Sequence, residues 1–215
     1  MTRAHNIVLI GPPGSGKGTQ AEIIERWLHI PHLSTGDMLR EAAATGSELG
    51  LKIKALIDGG NFVPDDVMTP FVVEKLNSPE CKDGFILDGF PRNVAQARLL
   101  DELLAKRNMK IDVAIKLQVP DSYVTNRILH RAKCAACGHV YQQNDARSEH
   151  CPACGSADFT QRADDNLETV KSRLKTYRLV TAPVVPYYEE RGLLVCIDGI
   201  GSIKEVAERI RAELR

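Results

Sequence analysis

The chain has 215 residues, of which 28 are Lys or Arg and 28 are Asp or Glu, so its formal net charge is zero. This length is typical of one domain that carries an insertion, and it is long enough to bury a sizeable core. Proteins that bind nucleic acid generically carry a basic excess and stack bases on aromatic side chains. The neutral balance and the 5% aromatic content therefore argue against that class.

The sequence shows no membrane segment. The apolar run at 7–10 near the N-terminus is far shorter than the ~18 residues that a membrane span requires. It ends in Gly-Pro-Pro rather than in a small-residue cleavage site, so it does not resemble a signal peptide. We therefore expect a cytoplasmic protein with no membrane partner.

Short apolar runs alternate with longer stretches of helical periodicity. Strands are predicted at 7–10, 85–87, 113–119 and 193–197, with a weaker fifth at 30–33. These runs are nearly continuous rather than alternating, which is typical of a parallel sheet covered on both faces. The alternation of strands and helices predicts an α/β fold with a doubly wound parallel sheet.

Two of the predicted helices contain proline. The segment 65–77 looks helical but includes Pro70, which predicts a late helix start or a kink. The segment 165–191 is a long helical pattern with Pro183 and Pro186, which predicts a bend there.

Residues 11–19 read GPPGSGKGT and lie between a predicted strand and a predicted helix. This matches the phosphate-binding pattern GxxxxGK, in which backbone N–H groups surround phosphate oxygens and the lysine adds a positive charge. Gly18 occupies the position that usually holds the magnesium-binding Ser or Thr, and Thr19 comes one residue later. The loop predicts a nucleotide phosphate site.

The loop resembles that of the adenylate kinases and related nucleoside monophosphate kinases. Three further segments resemble the same family, namely LSTGDMLR at 33–40, DGFPR at 88–92 and RADDNLETVKSRL at 162–174. The resemblance implies a monomeric phosphotransferase that converts ATP and AMP into two ADP with Mg²⁺. It also implies a core of residues 1–33, 64–130 and 166–215, a helical AMP-binding insert at 34–63 and a lid at 131–165.

The resemblance assigns individual residues to each substrate. Contacts with ATP are implied for Gly14, Ser15, Gly16, Lys17, Gly18, Thr19, Arg127, Val140, Tyr141 and the backbone of Gly201. Contacts with AMP are implied for Thr35, Arg40, Asn61, Phe62, Val63, Gly89, Phe90, Pro91, Arg92, Gln96, Arg162 and Arg173. The implied catalytic set is Lys17, Asp88, Arg92, Arg127, Arg162 and Arg173.

The chemistry of the reaction is consistent with these residue types. Transfer between two nucleotides brings anionic groups together, and arginine forks bind phosphate oxygens in pairs. Asp88 follows a predicted strand, so we expect it to hold magnesium through water. The AMP phosphate is already an anion, so no general base is required. Arg131 fits a site role or a surface salt bridge equally well. Asp164 and Asp165 fit either pairing with lid or site arginines or a solvated acid pair at a hinge.

Four cysteines form two CxxC pairs, Cys134 with Cys137 and Cys151 with Cys154, separated by 13 residues. Each pair precedes a glycine, and two such knuckles place four thiolates around a zinc ion. The alternative is disulfide pairing, which a reducing compartment disfavours. The position resembles the zinc-bearing lid of long-lid bacterial adenylate kinases, and this implies a structural Zn²⁺.

Two alternatives remain open at the level of sequence. Within the same class, the acceptor could be UMP or CMP and the donor could be GTP. In a different class, the chain could be a zinc-ribbon P-loop protein that binds nucleic acid, although the neutral charge argues against this.

Overall fold

The structure is a computed structural model that describes residues 5–142, 150, 151 and 153–214, excluding the side chains of 141 and 142. Its strands are β1 (His5–Ile10), β2 (His32–Ser34), β3 (Gly84–Asp88), β4 (Val113–Gln118), β5 (Arg131–Cys134), β6 (Val140–Gln142), β7 (Phe159–Thr160) and β8 (Leu194–Asp198). Its helices are α1 (Lys17–Leu28), α2 (Thr35–Ala44), α3 (Glu48–Asp58), α4 (Asp65–Leu76), α5 (Val94–Ala105), α6 (Asp121–Leu129), α7 (Leu167–Thr176), α8 (Val184–Glu189) and α9 (Ile203–Glu213). A 3₁₀-helix (Pro79–Lys82) and a π-helix (Tyr177–Thr181) complete the elements of these residues.

Five strands form one parallel sheet in the order β2-β3-β1-β4-β8. Successive side chains of a strand point to opposite faces, so both faces need a cover. Val8 and Ile10 of β1 belong to one apolar cluster, whereas Ile7 and Leu9 belong to the other. The predicted doubly wound α/β fold is confirmed, and the carboxyl ends of the parallel strands meet at one edge.

The strand predictions agree with the structure to within two residues at each end, and the weak fifth strand is β2. Helix α4 begins at Asp65, so the late start, one of the two outcomes expected from Pro70, is wrong. Pro64 and the acids Asp65 and Asp66 favour a start at this point. The helix runs unbroken past Pro70, which has no N–H for the Asp66 carbonyl.

The segment predicted as a bent helix at 165–191 consists of three pieces. Helix α7 starts after Asn166, whose side chain accepts a hydrogen bond of 2.9 Å from the Thr169 N–H. The π-helix follows, and the Ala182 N–H bonds to the Tyr177 carbonyl five residues back. The break before α8 lies at Pro183, where no N–H is available.

Two segments depart from the strand-helix alternation. Residues 34–63 carry α2 and α3, and residues 131–165 carry a second sheet of three antiparallel strands in the order β6-β5-β7. No helix within the described ranges is both long enough and apolar enough to cross a membrane.

Helix α9 begins with a reciprocal cap between Ser202 and Glu205. The Glu205 carboxylate accepts 2.8 Å hydrogen bonds from the Ser202 N–H and hydroxyl, and the Glu205 N–H donates to the Ser202 hydroxyl at 3.3 Å. The backbone N–H of Ser202 lowers the pKa of Glu205 below its ordinary value of 4.5. The cap is therefore strongest when the carboxylate is charged.

Replacing Glu205 with Ala should lower Tm at about pH 7 and have a smaller effect at about pH 3. A carboxylate whose pKa is lower in the folded state stabilises the fold above its unfolded pKa. That contribution is lost as the pH falls through the folded value. Thermal melts followed by circular dichroism measure the difference, with Glu213→Ala on the same helix as control. An equal loss of Tm at both pH values would contradict the role of the charge.

Candidate active site

The loop between β1 and α1 adopts a conformation that requires glycine at two positions. Gly14 and Gly16 have φ values of 77° and 98°, which other L-residues rarely adopt. A Cβ on Gly14 would lie 2.6 Å from Cγ1 of Ile128, and one on Gly16 would lie 3.2 Å from Nη1 of Arg127. Helix α6 thus packs directly on the loop and brings Arg127 to it.

Lys17 is held against the loop by its own backbone. Its Nζ donates to the carbonyl oxygens of Gly11 at 2.9 Å and Pro12 at 3.0 Å. Burial lowers the pKa of Lys17, and the nearby charges of Arg173 and Arg92 lower it further, while Asp88 opposes them. The amine therefore lies in a strongly positive environment that suits a polyanion.

Asp88 lies at the carboxyl end of β3 and faces the start of α1. A Cβ on Gly18 would lie 3.5 Å from its Oδ2. Nε2 of His32 lies 3.6 Å from the same oxygen, an ion-pair distance longer than a hydrogen bond. Burial by itself would raise the pKa of Asp88, but His32 and the charge of Lys17 outweigh it and lower the pKa. The carboxylate is therefore ionised.

Sequence reasoning missed His32. Strands β2 and β3 pair in parallel with Ser34 opposite Asp88, which brings His32 toward the carboxylate from the neighbouring strand. The spacing of residues along the chain does not show which strands are neighbours in the sheet. The sequence therefore contained no indication of the contact between His32 and Asp88.

Two cavities open at this edge of the sheet. The larger, of about 260 Å³, is lined by the predicted residues Gly14, Gly16, Lys17, Gly18, Thr19, Asp88, Arg127, Val140 and Arg162. The smaller, of about 150 Å³, is lined by the predicted residues Asn61, Phe62, Val63 and Pro91. Lys17, Arg40, Gly89, Arg92 and Arg173 line both. The two cavities therefore share one positively charged wall.

Charge is concentrated around the larger cavity. Its lining, counted over the described residues, includes eight Lys or Arg side chains and three Asp or Glu side chains. The chain as a whole has no net charge. The local excess of cations is typical of a site for several phosphate groups.

Arg92 has a defined orientation in the shared wall. Its Nε donates to the Gly89 carbonyl at 2.7 Å, and its guanidinium lies 4.8 Å from the centre of the Phe62 ring. Burial lowers the pKa of Arg92 to about 10, and the charge of Arg173 contributes. The Arg92 N–H donates to Oε1 of Gln96 at 2.6 Å, so the turn that carries Arg92 is anchored to α5.

Several predicted contact residues lie outside the cavity walls. Thr35 is fully buried, and its hydroxyl donates to the Asp88 carbonyl at 3.2 Å. The side chain of Gln96 is also buried, with its amide donating to Asp65 at 2.6 Å.

Three further predicted residues lie away from both cavities. Phe90 packs in the apolar core, Ser15 is a buried residue of the loop, and Gly201 lies beside Glu205. The Tyr141 side chain lies outside the described residues.

Asp164 and Asp165 form ion pairs with two arginines. The sequence had left open whether these acids pair with arginines or are solvated. Asp164 pairs with Arg173, and Asp165 pairs with Arg131. Both acids are only 6% exposed. Nε of Arg131 lies 2.8 Å from Oδ2 of Asp165, and Arg131 also lines the larger cavity. The acids thus hold two arginines of the positive wall.

Replacing Asp165 with Ala should lower the free energy of unfolding by about 3 kcal/mol, because Arg131, whose side chain is only 15% exposed, would remain among other cations without its partner. Urea unfolding measures the change. The exposed Asp158→Ala serves as the matched control and should change the free energy little. If the two variants unfold alike, the buried pair does not stabilise the fold.

The four paired cysteines form one cluster. Their sulfur atoms all lie within 4.8 Å of one another, and the Cys134–Cys154 and Cys137–Cys151 sulfur pairs are each 3.6 Å apart. These separations are too long for disulfide bonds, and all four are free thiols. Tetrahedral zinc with sulfur ligands at ~2.3 Å places the sulfurs ~3.8 Å apart, so the cluster fits a metal ion of this kind.

Backbone hydrogen bonding favours the thiolate form at one of these cysteines. The backbone of Cys137 and then that of Ala136 lower the pKa of Cys134 to about 6. The backbone of Ser156 lowers the pKa of Cys154, but hydrogen bonds with Cys137 and Cys134 outweigh it and raise that pKa to about 12. The sulfur donor set itself, rather than the charge of the free thiols, suits a soft divalent cation.

Comparison with known proteins places this architecture in one family. The family model for adenylate kinase matches residues 9–193. The chain is 44% identical over 212 residues to the adenylate kinase of Paramagnetospirillum magneticum, covering 97% of this chain and 98% of that relative. It is 46% identical over 212 residues to the adenylate kinase of Archaeoglobus fulgidus, covering 97% of each, and 48% identical over 203 residues to that of Moorella thermoacetica, covering 93% of each. With a matching loop, parallel sheet and arginine-lined cleft, the chain belongs to the adenylate kinase family.

Proposed function

We propose that the protein catalyses reversible transfer of the γ-phosphoryl group of ATP to AMP, giving two ADP. The observation that carries this proposal is the shared positive wall, since Lys17, Arg40, Arg92 and Arg173 line both cavities. A donor in one cavity and an acceptor in the other would direct their phosphates toward the same cations. The names of the relatives support the same reaction.

The larger cavity suits the donor. It contains the glycine loop and α1, whose N-terminus favours an anion. We assign Arg127 and Arg162 to the donor and transferring phosphates, with Val140 near the donor base. The smaller cavity suits AMP, with Arg40, Arg92 and Arg173 near its phosphate and Asn61, Phe62 and Val63 forming the opposite wall.

Charge stabilisation and alignment are the main contributions that these residues make to the reaction. The AMP phosphate is already nucleophilic, so the chain need not remove a proton from it. The lowered pKa values of Arg92 and Arg162, each about 10 and each caused first by burial, still leave both arginines charged near neutral pH. Cations held in place before the substrates bind stabilise the charge that spreads over the transferring group.

The residues around Asp88 fit a magnesium ion. An ionised carboxylate oxygen faces the loop near Gly18, and hard oxygen ligands are those that Mg²⁺ prefers. When bound with ATP, the ion would neutralise negative charge on the phosphates. We propose that Asp88 holds it through water.

The two segments that interrupt the fold would act as covers. We propose that residues 34–63 form the AMP-binding insert and residues 131–165 the lid, on a core of 1–33, 64–130 and 166–215. Closure over both substrates would exclude water that otherwise hydrolyses ATP. We propose a structural Zn²⁺ on Cys134, Cys137, Cys151 and Cys154, and a monomer that has only small nucleotides as partners.

Turnover measured as ADP formation tests the reaction. With ATP as donor, AMP should be the fastest acceptor among AMP, CMP, UMP and GMP, and ATP should exceed GTP as donor. Lys17→Ala should lower kcat/KM by about 100-fold or more without unfolding the protein, because a fixed charge at the phosphates is lost. The control Lys171→Ala removes an exposed lysine of α7 and should retain activity.

Faster turnover of CMP or UMP would contradict the assigned acceptor, and faster turnover with GTP would contradict the assigned donor. Salt-sensitive binding of DNA or RNA without turnover would instead indicate the zinc-ribbon alternative. Unfolding of Lys17→Ala would show that the lysine is structural.

Zinc removal should lower Tm while leaving turnover at ambient temperature, because the ion would link the two CxxC knuckles, whose cysteines line neither cavity. Metal analysis should find one zinc per chain. Cys137→Ser should lose the metal and become insensitive to chelator, whereas Cys196→Ser, which changes an exposed cysteine outside the cluster, should behave like the parent protein. Full metal content in Cys137→Ser would contradict the site.

A further inference from the structure

The smaller cavity has a wall that neither the motifs nor the proposed reaction explain. Tyr177 and Thr181, the first and last residues of the π-helix, line it together with Arg173 of α7. Tyr177 follows Arg173 by four residues, so these two side chains lie along one helix face. Thr181, at the other end of the π-helix, lines the same cavity. The π-helix therefore continues the side of the cavity on which Arg173 lies.

The position of Tyr177 relative to Arg173 restricts what it could contact. Four helical residues correspond to a rise of about 6 Å, so Tyr177 lies one turn beyond the guanidinium that faces the other cations. In a nucleoside monophosphate, the group that follows the phosphate is the ribose. If the phosphate lies against Arg173, the ribose lies at the level of Tyr177.

The residues that line the smaller cavity differ in which part of a nucleotide they suit. Phosphate is suited by the cations Lys17, Arg92 and Arg173, and a base is suited by the apolar Leu39 and Ile57 elsewhere in the lining. A phenol and an aliphatic hydroxyl are neutral groups that both donate and accept hydrogen bonds. They match the hydroxyls of a sugar.

The Tyr177 hydroxyl is available for such a contact. Among the described residues it makes no hydrogen bond, ion pair or ring contact, although the side chain is half-buried. Burial raises the pKa of Tyr177, so the group stays protonated and neutral at physiological pH. Tyrosine hydroxyls that face a buried space usually bind a polar partner. Short π-helical segments are also frequent at functional sites.

We propose that the Tyr177 hydroxyl hydrogen-bonds the ribose of the acceptor nucleotide and makes the protein prefer ribonucleoside over 2′-deoxyribonucleoside monophosphates. The inference rests on the proposed function, because it takes the smaller cavity as the acceptor site. It adds sugar selectivity, which the phosphate-binding arginines do not provide. Thr181, one turn further on, borders the same sugar.

The test compares the parent protein with Tyr177→Phe on two acceptors, AMP and 2′-deoxy-AMP. The rate of product formation is measured for each of the four combinations. The parent protein should favour AMP in kcat/KM by about five- to tenfold, the effect of one neutral hydrogen bond. Tyr177→Phe should lower kcat/KM for AMP by that factor, leave 2′-deoxy-AMP nearly unchanged and bring the ratio close to one. Binding of both nucleotides measured by calorimetry should show the same loss of preference.

Tyr188→Phe is the matched control. It also removes a hydroxyl that has no hydrogen-bond partner among the described residues, but it lies in the core rather than the cavity. This variant should keep the parent's ratio. Thermal melts of both variants show whether either has lost its fold, and Tyr177→Leu, which lacks the ring, should also lose the preference.

An equal loss for both acceptors in Tyr177→Phe would mean that the hydroxyl is structural, and the inference would be wrong. An unchanged ratio, or a parent protein that does not distinguish the two sugars, would also overturn it. Failure of the proposed function is distinguishable, because it shows in the parent protein itself, either as faster turnover of CMP or UMP than of AMP or as no turnover of any of the four ribonucleoside monophosphates.

Discussion

Mutual repulsion among the cations of the cleft is the constraint on which the rest of the structure depends. Eight basic side chains line the larger cavity, and several lie in buried positions where charge is costly. Burial lowers the pKa values of Lys17, Arg92, Arg162 and Arg173, and neighbouring cations lower them further. Asp88 opposes this effect at Lys17, and Asp164 opposes it at Arg173. An anionic ligand would relieve this repulsion, which gives the cleft a selective affinity for phosphates.

Buried acids make this arrangement tolerable in the folded chain. Asp88 lies near Lys17, Asp164 pairs with Arg173, and Asp165 pairs with Arg131. Each acid offsets a cation of the cleft, and two of them are themselves lining residues, Asp164 in the smaller cavity and Asp88 in the larger. The remaining uncompensated charge belongs to arginines such as Arg92, which is fixed by the Gly89 carbonyl and Phe62.

The sequence predicted those features whose residues are neighbours along the chain. The glycine loop and the two CxxC knuckles were readable because each is a local turn whose spacing determines its geometry. The five strands were readable because continuous apolar runs are typical of a sheet buried on both faces. Helix α4 was misjudged at its start, because the first-turn acids and Pro64 outweighed the effect of Pro70.

Contacts between distant segments could not be predicted in this way. The motif containing Thr35 and the position of Gln96 were recognised, but their burial and their hydrogen bonds to the Asp88 carbonyl and to Asp65 come from the tertiary structure. His32 and Tyr177 lie in no recognisable sequence motif. Strand pairing brings His32 to Asp88, and the π-helix places Tyr177 in the lining of the smaller cavity. The choice of arginine for each acid was equally hidden, since Asp164 and Asp165 are adjacent in sequence and bind arginines on different elements.

The sequence by itself determined the chemistry of the parts: a loop that cradles phosphate, a set of arginines, four cysteines spaced for one metal ion, and a parallel sheet to carry them. Only the tertiary structure decided that two cavities share one wall. That wall is assembled from α1, α2, the turn after β3 and α7, which meet because parallel strands end at the same edge of the sheet. Local patterns depend on spacing along the chain, whereas a shared wall depends on which elements pack together.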